Sequence, residues 1–325
     1  MKVLVYGWYY KGNIGDNLFV HAFKRLFPNL QLVFTDTISE KRLEDVGAVF
    51  FGGGSFLLDP PSITGPFDKT WGLLKAKKIF YLGVGVELEI HPLHQELMAQ
   101  AGLIAIRSAD QVERVKAINP NTRFVPDLVY ALQADVKSAY RKEEKSIFVM
   151  PNITVVPQAT DPYWKHAAWS YFKSEFAQFL DWTVEEGYKP QLFSMCRNRD
   201  MSDEWAATEI LSHMKNRNSG FIQEDRPLEI GFMSEVMSKH DLVITQRFHG
   251  IVLAEMTRLP YIAIHHHDKL KFSSPNDGAF LSYYNCSKRL LMDTFVSALQ
   301  MNYPTLLPIE SNIFETLTSD VMSLL

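Results

Sequence analysis

The sequence predicts an α/β protein built as two Rossmann-like domains facing across a cleft. Three observations predict it. Short apolar runs alternate with amphipathic stretches, the alternation halts at a charged segment and then restarts, and several apolar runs end in glycines or in residues able to do chemistry. Strands covered on both faces read as continuous apolar runs, and strands separated by helices imply crossover connections and a parallel sheet. At 325 residues the chain is long for one domain and comfortable for two.

In the first half, residues 3–6, 30–34, 48–51, 79–82 and 103–106 have the composition of buried strands. Residues 16–27, 93–101 and 110–118 are predicted as the helices between them. Phe19, Ala22, Phe23 and Leu26 recur at three- and four-residue steps, which is helical spacing. The charged run Arg141-Lys142-Glu143-Glu144-Lys145 lies in a stretch, 135–145, with few core-forming residues, and is taken as the linker. The expected domains are 1–140 and 141–325. Beyond the linker come strand 147–150, a long helix over 164–184, strand 191–195, helices 204–214 and 228–238, strand 241–245, helix 251–258 and strand 261–264. Ala168, Phe172, Phe176, Leu180 and Val184 fall at steps of four along the long helix. Ile313, Leu317, Val321 and Leu324 form a final helical stripe, which can pack back on the first domain.

Composition narrows the function. Hydrophobic residues at 46% and charged residues at 22% describe an ordinary globular protein, and 13% aromatics allow sugar-stacking surfaces as well as large cores. A net charge of −4 argues against broad nucleic-acid binding, which needs a basic face. Cys196 and Cys286 are the only cysteines and cannot form a disulfide framework or a four-thiolate metal site. The apolar run from Val3 to Tyr10 is read as a first strand and not a signal peptide, and no run approaches the length of a membrane span. The expected location is the cytoplasm, with transient contact at the inner face of the membrane compatible with it.

In open parallel sheets ligands bind beyond the carboxyl ends of strands, so chemistry is sought there. Gly12-Asn13-Ile14-Gly15-Asp16-Asn17 follows the first strand; its glycines allow a tight turn, and Asp16 or Asn17 can cap the next helix. A turn that merely joins strand to helix would use the same residues. Gly52-Gly53-Gly54-Ser55 and Gly83-Val84-Gly85-Val86-Glu87 mark two further strand ends where backbone can approach a ligand closely, or pack against a neighbouring domain. Asp127, after Pro126, marks another. Trp8, Tyr9 and Tyr10 can stack on a sugar or enter the core. Thr245-Gln246-Arg247-Phe248-His249-Gly250 is the most informative segment. Arg offers fixed donors to a carboxylate or phosphate, His can move a proton near neutrality, and Gly250 opens a helix whose N-terminus favours anions. Arg197 follows a strand of the second half and can supply a cation or lie in a polar loop. His265-His266-His267-Asp268 places at most two imidazoles on one side of a strand with no Cys or Glu nearby, so no metal site is expected, whereas Lys269 is a candidate cation.

The order of these motifs resembles the polysaccharide pyruvyl transferase family over nearly the whole chain. The resemblance is carried by Gly12 to Asp16, Gly52 to Gly54, Gly83 to Gly85, Arg107-Ser108 and Pro126-Asp127, and most specifically by Arg247-Phe248-His249-Gly250 with Leu259-Pro260 and Lys269. It implies a GT-B-like fold and transfer of pyruvate from phosphoenolpyruvate to two hydroxyls of a sugar or lipid-linked glycan, giving a cyclic ketal without a cofactor; the competing expectations are a GT-B glycosyltransferase using a nucleotide sugar and a non-catalytic carbohydrate-binding relative. It implicates Arg247 and His249 in catalysis and donor binding. Gly250, Lys269, Asn152 and Arg197 complete the expected donor side in the second domain. Asn13, Gly15, Asp16, Gly53, Gly54, Ser55, Gly85 and Glu87 form the expected acceptor side in the first. The family often carries an Arg after the first strand of the second domain. Met150-Pro151-Asn152 stands there instead, so donor binding must recruit another cation, such as Arg197, Arg199 or Lys269.

Overall fold

The computed structural model describes residues 1–86, 89–136, 145–198, 201–216, 220–222, 229–265, 279–300 and 312–325. The chain divides into two compact units. One comprises Met1–Lys11, Asp16–Gln133 and Pro308–Leu325, the other Gly12–Gly15 and Ala134–Leu307. The division falls between Gln133 and Ala134, and most of the charged linker lies outside the described residues.

The first unit carries strands β1 (Lys2–Tyr6), β2 (Gln31–Thr35), β3 (Ala48–Gly54), β4 (Lys78–Val84), β5 (Leu103–Ile106) and β6 (Thr122–Phe124). All pair in parallel, in the order β2-β1-β3-β4-β5-β6. Between them run α1 (Ile14–Leu26), α2 (Glu40–Glu44), α3 (Phe67–Lys75), α4 (Pro92–Ala99) and α5 (Val112–Lys116). Apolar side chains fill both faces of the central strands: β5 is buried at every position, and Val3, Leu4, Val5, Phe50 and Phe51 are fully buried. That is why these strands lack the alternation of a half-exposed sheet.

The second unit repeats the plan with β7 (Ser146–Met150), β8 (Lys189–Phe193), β11 (Gly220–Ile222), β12 (Leu242–Thr245), β13 (Tyr261–His265) and β14 (Ala279–Ser282), again all parallel. A two-stranded antiparallel ribbon, β9 (Arg197–Asn198) with β10 (Met201–Ser202), is inserted after β8. The sheet order β11-β8-β7-β12-β13-β14 is the 3-2-1-4-5-6 order of a dinucleotide-type Rossmann sheet. Its helices are α6 (Tyr163–Glu185), α7 (Asp203–His213), α8 (Ile230–Met237), α9 (Phe248–Thr257) and α10 (Lys288–Gln300). In each sheet the chain order reverses once, between β1 and β3 in the first and between β7 and β12 in the second. Those reversal points are where a doubly wound sheet opens a crevice.

The last helix, α11 (Ile313–Leu324), belongs to the first unit. It buries Leu317 and Val321, pairs Asp320 with Arg123 at 2.6 Å, and its Leu324 carbonyl accepts from Lys78 Nζ at 2.9 Å. Leu324 itself stays exposed.

Several elements depart from the sequence expectation. Residues 110–118 hold a 3₁₀ turn, Ala109–Gln111, followed by α5 alone. The α6 core stripe is Trp169, Phe172, Phe176, Phe179, Leu180 and Thr183, with Ala168 and Val184 only partly buried. Steps of four drift by about 40° each around a 3.6-residue helix, so a stripe of sixteen residues must shift by a position. The helix expected at 251–258 begins three residues earlier, at Phe248.

Candidate functional site

The reversal point of the second sheet is built from the segments that leave β7 and β12. After β7, Asn152 caps a 3₁₀ turn, Ile153–Val155, its Oδ1 accepting from Thr154 N and Oγ1, both at 2.9 Å. After β12, Gln246 N donates to Met150 O at 2.9 Å. Asn152 ties the two strand ends twice more, its N donating to Gln246 Oε1 at 3.0 Å and its Nδ2 to Gln246 O at 3.3 Å. Asn152 is thus consumed in fixing the strand ends, and both residues are buried.

Thr245 makes the turn into α9. Its Oγ1 accepts from Arg247 N at 2.9 Å and donates to Arg247 O at 3.0 Å, which closes the backbone at the helix entrance. Arg247 therefore occupies the N-cap position, with extended dihedrals and no side-chain cap, and His249 lies in the first turn. Gly250 does not open the helix. It is buried, and a Cβ there would stand 2.2 Å from Thr245 Oγ1 and 2.8 Å from Met150 Cε. Its glycine lets Thr245 close the turn.

The Arg247 guanidinium is held by Asp203, the first residue of α7 and fully buried. Nε donates to Asp203 Oδ2 at 3.0 Å and Nη2 donates to Oδ1. The same carboxylate accepts from Ile153 N at 2.9 Å and from Cys196 N at 2.8 Å. Four donors on one buried carboxylate compensate its desolvation, and the paired geometry fixes the plane of the guanidinium. Asp203 occupies the Nε–Nη2 edge, and Nη1 has no bonded partner among the described residues. The Arg247 side chain is 15% exposed.

The Gly12–Gly15 turn completes this cluster, within the second unit. Arg197 N donates to Gly12 O at 2.8 Å, Ile14 N donates to Met195 O at 2.9 Å, and Asn13 bridges Cys196. Gly12 has φ +78°, a left-handed conformation that costs an ordinary residue energy. Gly15 is required by contact: a Cβ there would lie 2.1 Å from His249 Nδ1. The imidazole rests on that glycine and meets the edge of Phe248 at 5.2 Å. Asn13 Oδ1 accepts from Gly15 N at 3.0 Å, so Asn13, and neither Asp16 nor Asn17, serves the start of α1. Asn17 Oδ1 accepts instead from Tyr10 N at 3.0 Å. Arg197 lies 5.4 Å over the Phe193 ring, a cation–π contact, and is half-buried.

Asn13, Gly15, Asn152, Arg197, Arg247, His249 and Gly250 thus share one cluster around Asp203. Asn13 and Gly15, expected with the first domain, pack in the second unit. Lys269, with His266, His267 and Asp268, lies outside the described residues, as do Glu87 and Arg199. No group of three His, Cys, Asp or Glu suited to a metal occurs among the described residues.

The other expected residues gather at the reversal point of the first sheet. Gly53 (φ +71°) and Gly54 (φ +95°) end β3 in conformations that favour glycine. A Cβ on Gly54 would stand 3.4 Å from Asp16 Oδ1, while one on Gly53 would strike Phe19 at 2.4 Å. Gly85 N donates to Gly54 O at 2.9 Å, and Ser55 Oγ accepts from Arg107 Nη2 at 3.2 Å. A Gly85 Cβ would stand 2.4 Å from that Ser55 Oγ. Arg107 Nη1 pairs with Asp127, whose Oδ1 also accepts from Val129 N at 3.0 Å. Tyr9 is buried, its hydroxyl donating to Gly52 O, whereas Trp8 and Tyr10 are exposed.

Asp203 is not among the residues that the sequence singles out, and Gln246 is named only as part of the segment 245–250, with no role of its own. Ser202-Asp203 reads locally as an ordinary helix start, and nothing nearby announces a partner 44 residues away.

Comparison with known proteins agrees with this architecture. The chain has the fold of S. aureus MnaA, solved with UDP (9% identity, TM-score 0.61, covering 100% of this chain and 97% of that one). It also shares the fold of the UDP-GlcNAc 2-epimerase of Neisseria meningitidis, solved with UDP-GlcNAc (8%, TM-score 0.55, 99% and 100%). The corresponding epimerase of Methanocaldococcus jannaschii is similar to the same degree (8%, TM-score 0.56, 99% and 100%). At such identities the likeness is one of fold alone, and it fits the GT-B-like, doubly Rossmann class. No curated protein matches the sequence. The family model for polysaccharide pyruvyl transferase matches residues 13–268, a span that begins inside the Gly12–Gly15 turn and contains the whole Asp203–Arg247–His249 cluster. The chain belongs to the polysaccharide pyruvyl transferase family.

Proposed function

We propose that the protein transfers the pyruvyl group of phosphoenolpyruvate to two hydroxyls of one sugar, forming a cyclic ketal and releasing phosphate. The observation that supports this most is the Arg247 fork, set by Asp203 at the N-terminus of α9 with His249 in the first turn. Phosphoenolpyruvate carries a carboxylate and a phosphate. A planar guanidinium edge and a helix N-terminus are the two devices that bind such groups without a metal.

His249, in its protonated form, gives its proton to the methylene carbon of the enol, which becomes the methyl group, and leaves C2 electrophilic. The first sugar hydroxyl adds to C2 and loses its proton, restoring the imidazolium. The second hydroxyl displaces phosphate, its proton leaving with that group, and the ring closes. Arg247 and the helix dipole stabilise charge on the departing phosphate, and no cofactor takes part. The acceptor, a sugar or lipid-linked glycan, is assigned to the strand ends of the first unit, where Asp16, Gly54 and Ser55 are half-buried. The reaction is proposed to run in the cytoplasm. No helix among the described residues is long and apolar enough to cross a membrane.

The test is incubation with phosphoenolpyruvate and a panel of free, nucleotide-linked and lipid-linked sugars, read by mass spectrometry and phosphate release. A pyruvate-ketal mass gain with one phosphate released per ketal is expected. Transfer of a glycosyl group from a nucleotide sugar, with no ketal from any acceptor, would overturn the proposal.

A further inference from the structure

Gln246 has no part in the chemistry above, yet its side chain is the anomaly of the cluster. The residue is 4% exposed. Its Oε1 accepts from Asn152 N at 3.0 Å, and because that partner is a backbone N–H, the amide's oxygen and nitrogen are assigned by chemistry. Nε2 therefore carries the donors, and it has no acceptor among the described residues. A buried donor left unpaired opposes folding, so such groups persist where a ligand or ordered water supplies the acceptor.

Its placement decides which. Asn152 N donates to Gln246 Oε1 and the next amide, Ile153 N, donates to Asp203 Oδ1, which in turn accepts from Arg247 Nη2. Successive backbone N–H groups thus hold the Gln246 amide and the carboxylate that orients Arg247. Gln246 also directly precedes the N-cap of α9, a ten-residue helix whose N-cap side chain makes no capping bond. A guanidinium edge, a helix N-terminus and an unsatisfied amide donor meet at one strand end.

We infer that Gln246 is a substrate-binding residue whose Nε2 donates to an oxygen of the anion held by Arg247. The inference rests on the pyruvyl-transfer proposal for the ligand's identity and on the geometry alone for the site. The ligand chemistry is an oxyanion, carboxylate or phosphate. A neutral donor adds a directional bond without further charge, which favours an anion whose oxygens match the amide and the guanidinium together.

The experiment is calorimetric titration of the full chain with phosphoenolpyruvate, pyruvate, inorganic phosphate and UDP. It compares wild type with Gln246→Met and Gln246→Glu, each checked by its melting temperature without ligand. Gln246→Glu keeps an acceptor for Asn152 N while losing the donor; Gln246→Met keeps length and loses both. Both variants should bind the contacted oxyanion about ten- to hundred-fold more weakly. Pyruvate and phosphate tell which group of phosphoenolpyruvate is contacted. Binding by both folded variants within twofold of wild type would overturn the inference, because solvent then satisfies the amide. Dependence on Gln246 for phosphate or UDP in a protein that ignores phosphoenolpyruvate would keep the inference and remove the pyruvyl-transfer proposal. A wild-type protein that binds none of the four overturns both. Should neither variant fold, wild-type protein labelled with ¹⁵N-glutamine decides: a ligand-shifted, exchange-protected side-chain amide pair supports the inference, and its absence overturns it.

Discussion

Each unit places an arginine just past a strand and pairs it with an aspartate, and the two pairs have been put to different use. Arg107, after β5, is 2% exposed, and its side chain is bound by Asp127 and Ser55 while Phe19 lies 6.0 Å beneath the guanidinium. Arg247, after β12, gives one edge to Asp203 and keeps 15% of its side chain in contact with solvent. The first pair is a closed knot joining the ends of β3 and β5 to the turn after β6. The second is a bracket, rigid on one side and open on the other. The same two residue types thus build a core in one place and a proposed binding edge in another, and the exposure of the arginine side chain separates them.

The sharpest way to break that distinction is at its chemical end. His249→Ala should lower turnover about 10²–10⁴-fold with donor affinity little changed, the usual loss for a positioned acid. Steady-state and single-turnover kinetics on the folded variant would show it, and near-normal turnover would reduce His249 to a packing partner of Gly15.

Next come the arginines themselves. Arg107→Leu should cost about 3–5 kcal/mol of stability, because it removes the guanidinium that neutralises the buried Asp127 carboxylate. Arg247→Ala leaves Asp203 two backbone donors, so it should destabilise less and weaken phosphoenolpyruvate binding about ten- to hundred-fold. Urea unfolding and calorimetry on both variants measure the contrast. Equal stability losses would erase it.

The glycines offer a finer comparison. Gly15→Ala puts a methyl where His249 Nδ1 lies, so the ring must move; activity should fall about 10²-fold while most of the stability remains. Gly53→Ala meets Phe19 and a positive φ inside the first unit, and should cost about 1–3 kcal/mol with little direct effect on donor binding. Thermal melts alongside kinetics would distinguish the two.

A pH-dependent effect belongs to the first unit alone. His94 is buried among Phe51, Phe56 and Tyr81, and its Nδ1 lies 3.0 Å from the Tyr81 hydroxyl. Burial pushes its pKa down from 6.5 to about 4. Between those values the unfolded chain binds a proton that the folded chain refuses. Stability should therefore fall by about 3 kcal/mol as pH drops from about 6.5 to about 4. His94→Phe should flatten that slope, which chemical denaturation at stepped pH would detect.

The fold was legible because buried parallel strands leave continuous apolar runs such as Leu103–Ile106, and glycines such as Gly53 and Gly54 mark where they stop. Arg247 and His249 were legible as a pair because they follow β12 immediately. Their support was not. Asp203 reaches Arg247 across 44 residues, and Asn152 meets Gln246 across 94. Such contacts depend on strand order, which local patterning does not encode. Gly15 beside His249 was hidden for the same reason. The helix start at Phe248 was missed because Gly250 looked like an entrance, whereas Thr245 closes the turn by a side-chain bond that composition does not announce.

The strand order of the second sheet also dictates when the cluster can exist. β7 pairs with β12, Ile147 opposite Leu242, and the segments are 95 residues apart. At a synthesis rate of roughly 5–20 residues per second, β7 waits roughly 5–20 s on the ribosome before its neighbour is made. During that wait it presents an unpaired apolar edge, and β8 is the one parallel neighbour of β7 that can already have formed. Docking of β12 closes that edge and, in the same event, brings Asn152 to Gln246 and Asp203 to Arg247. The Asp203–Arg247 cluster is consequently a late product of folding, and a nascent chain stalled before residue 242 would lack it and be aggregation-prone at once.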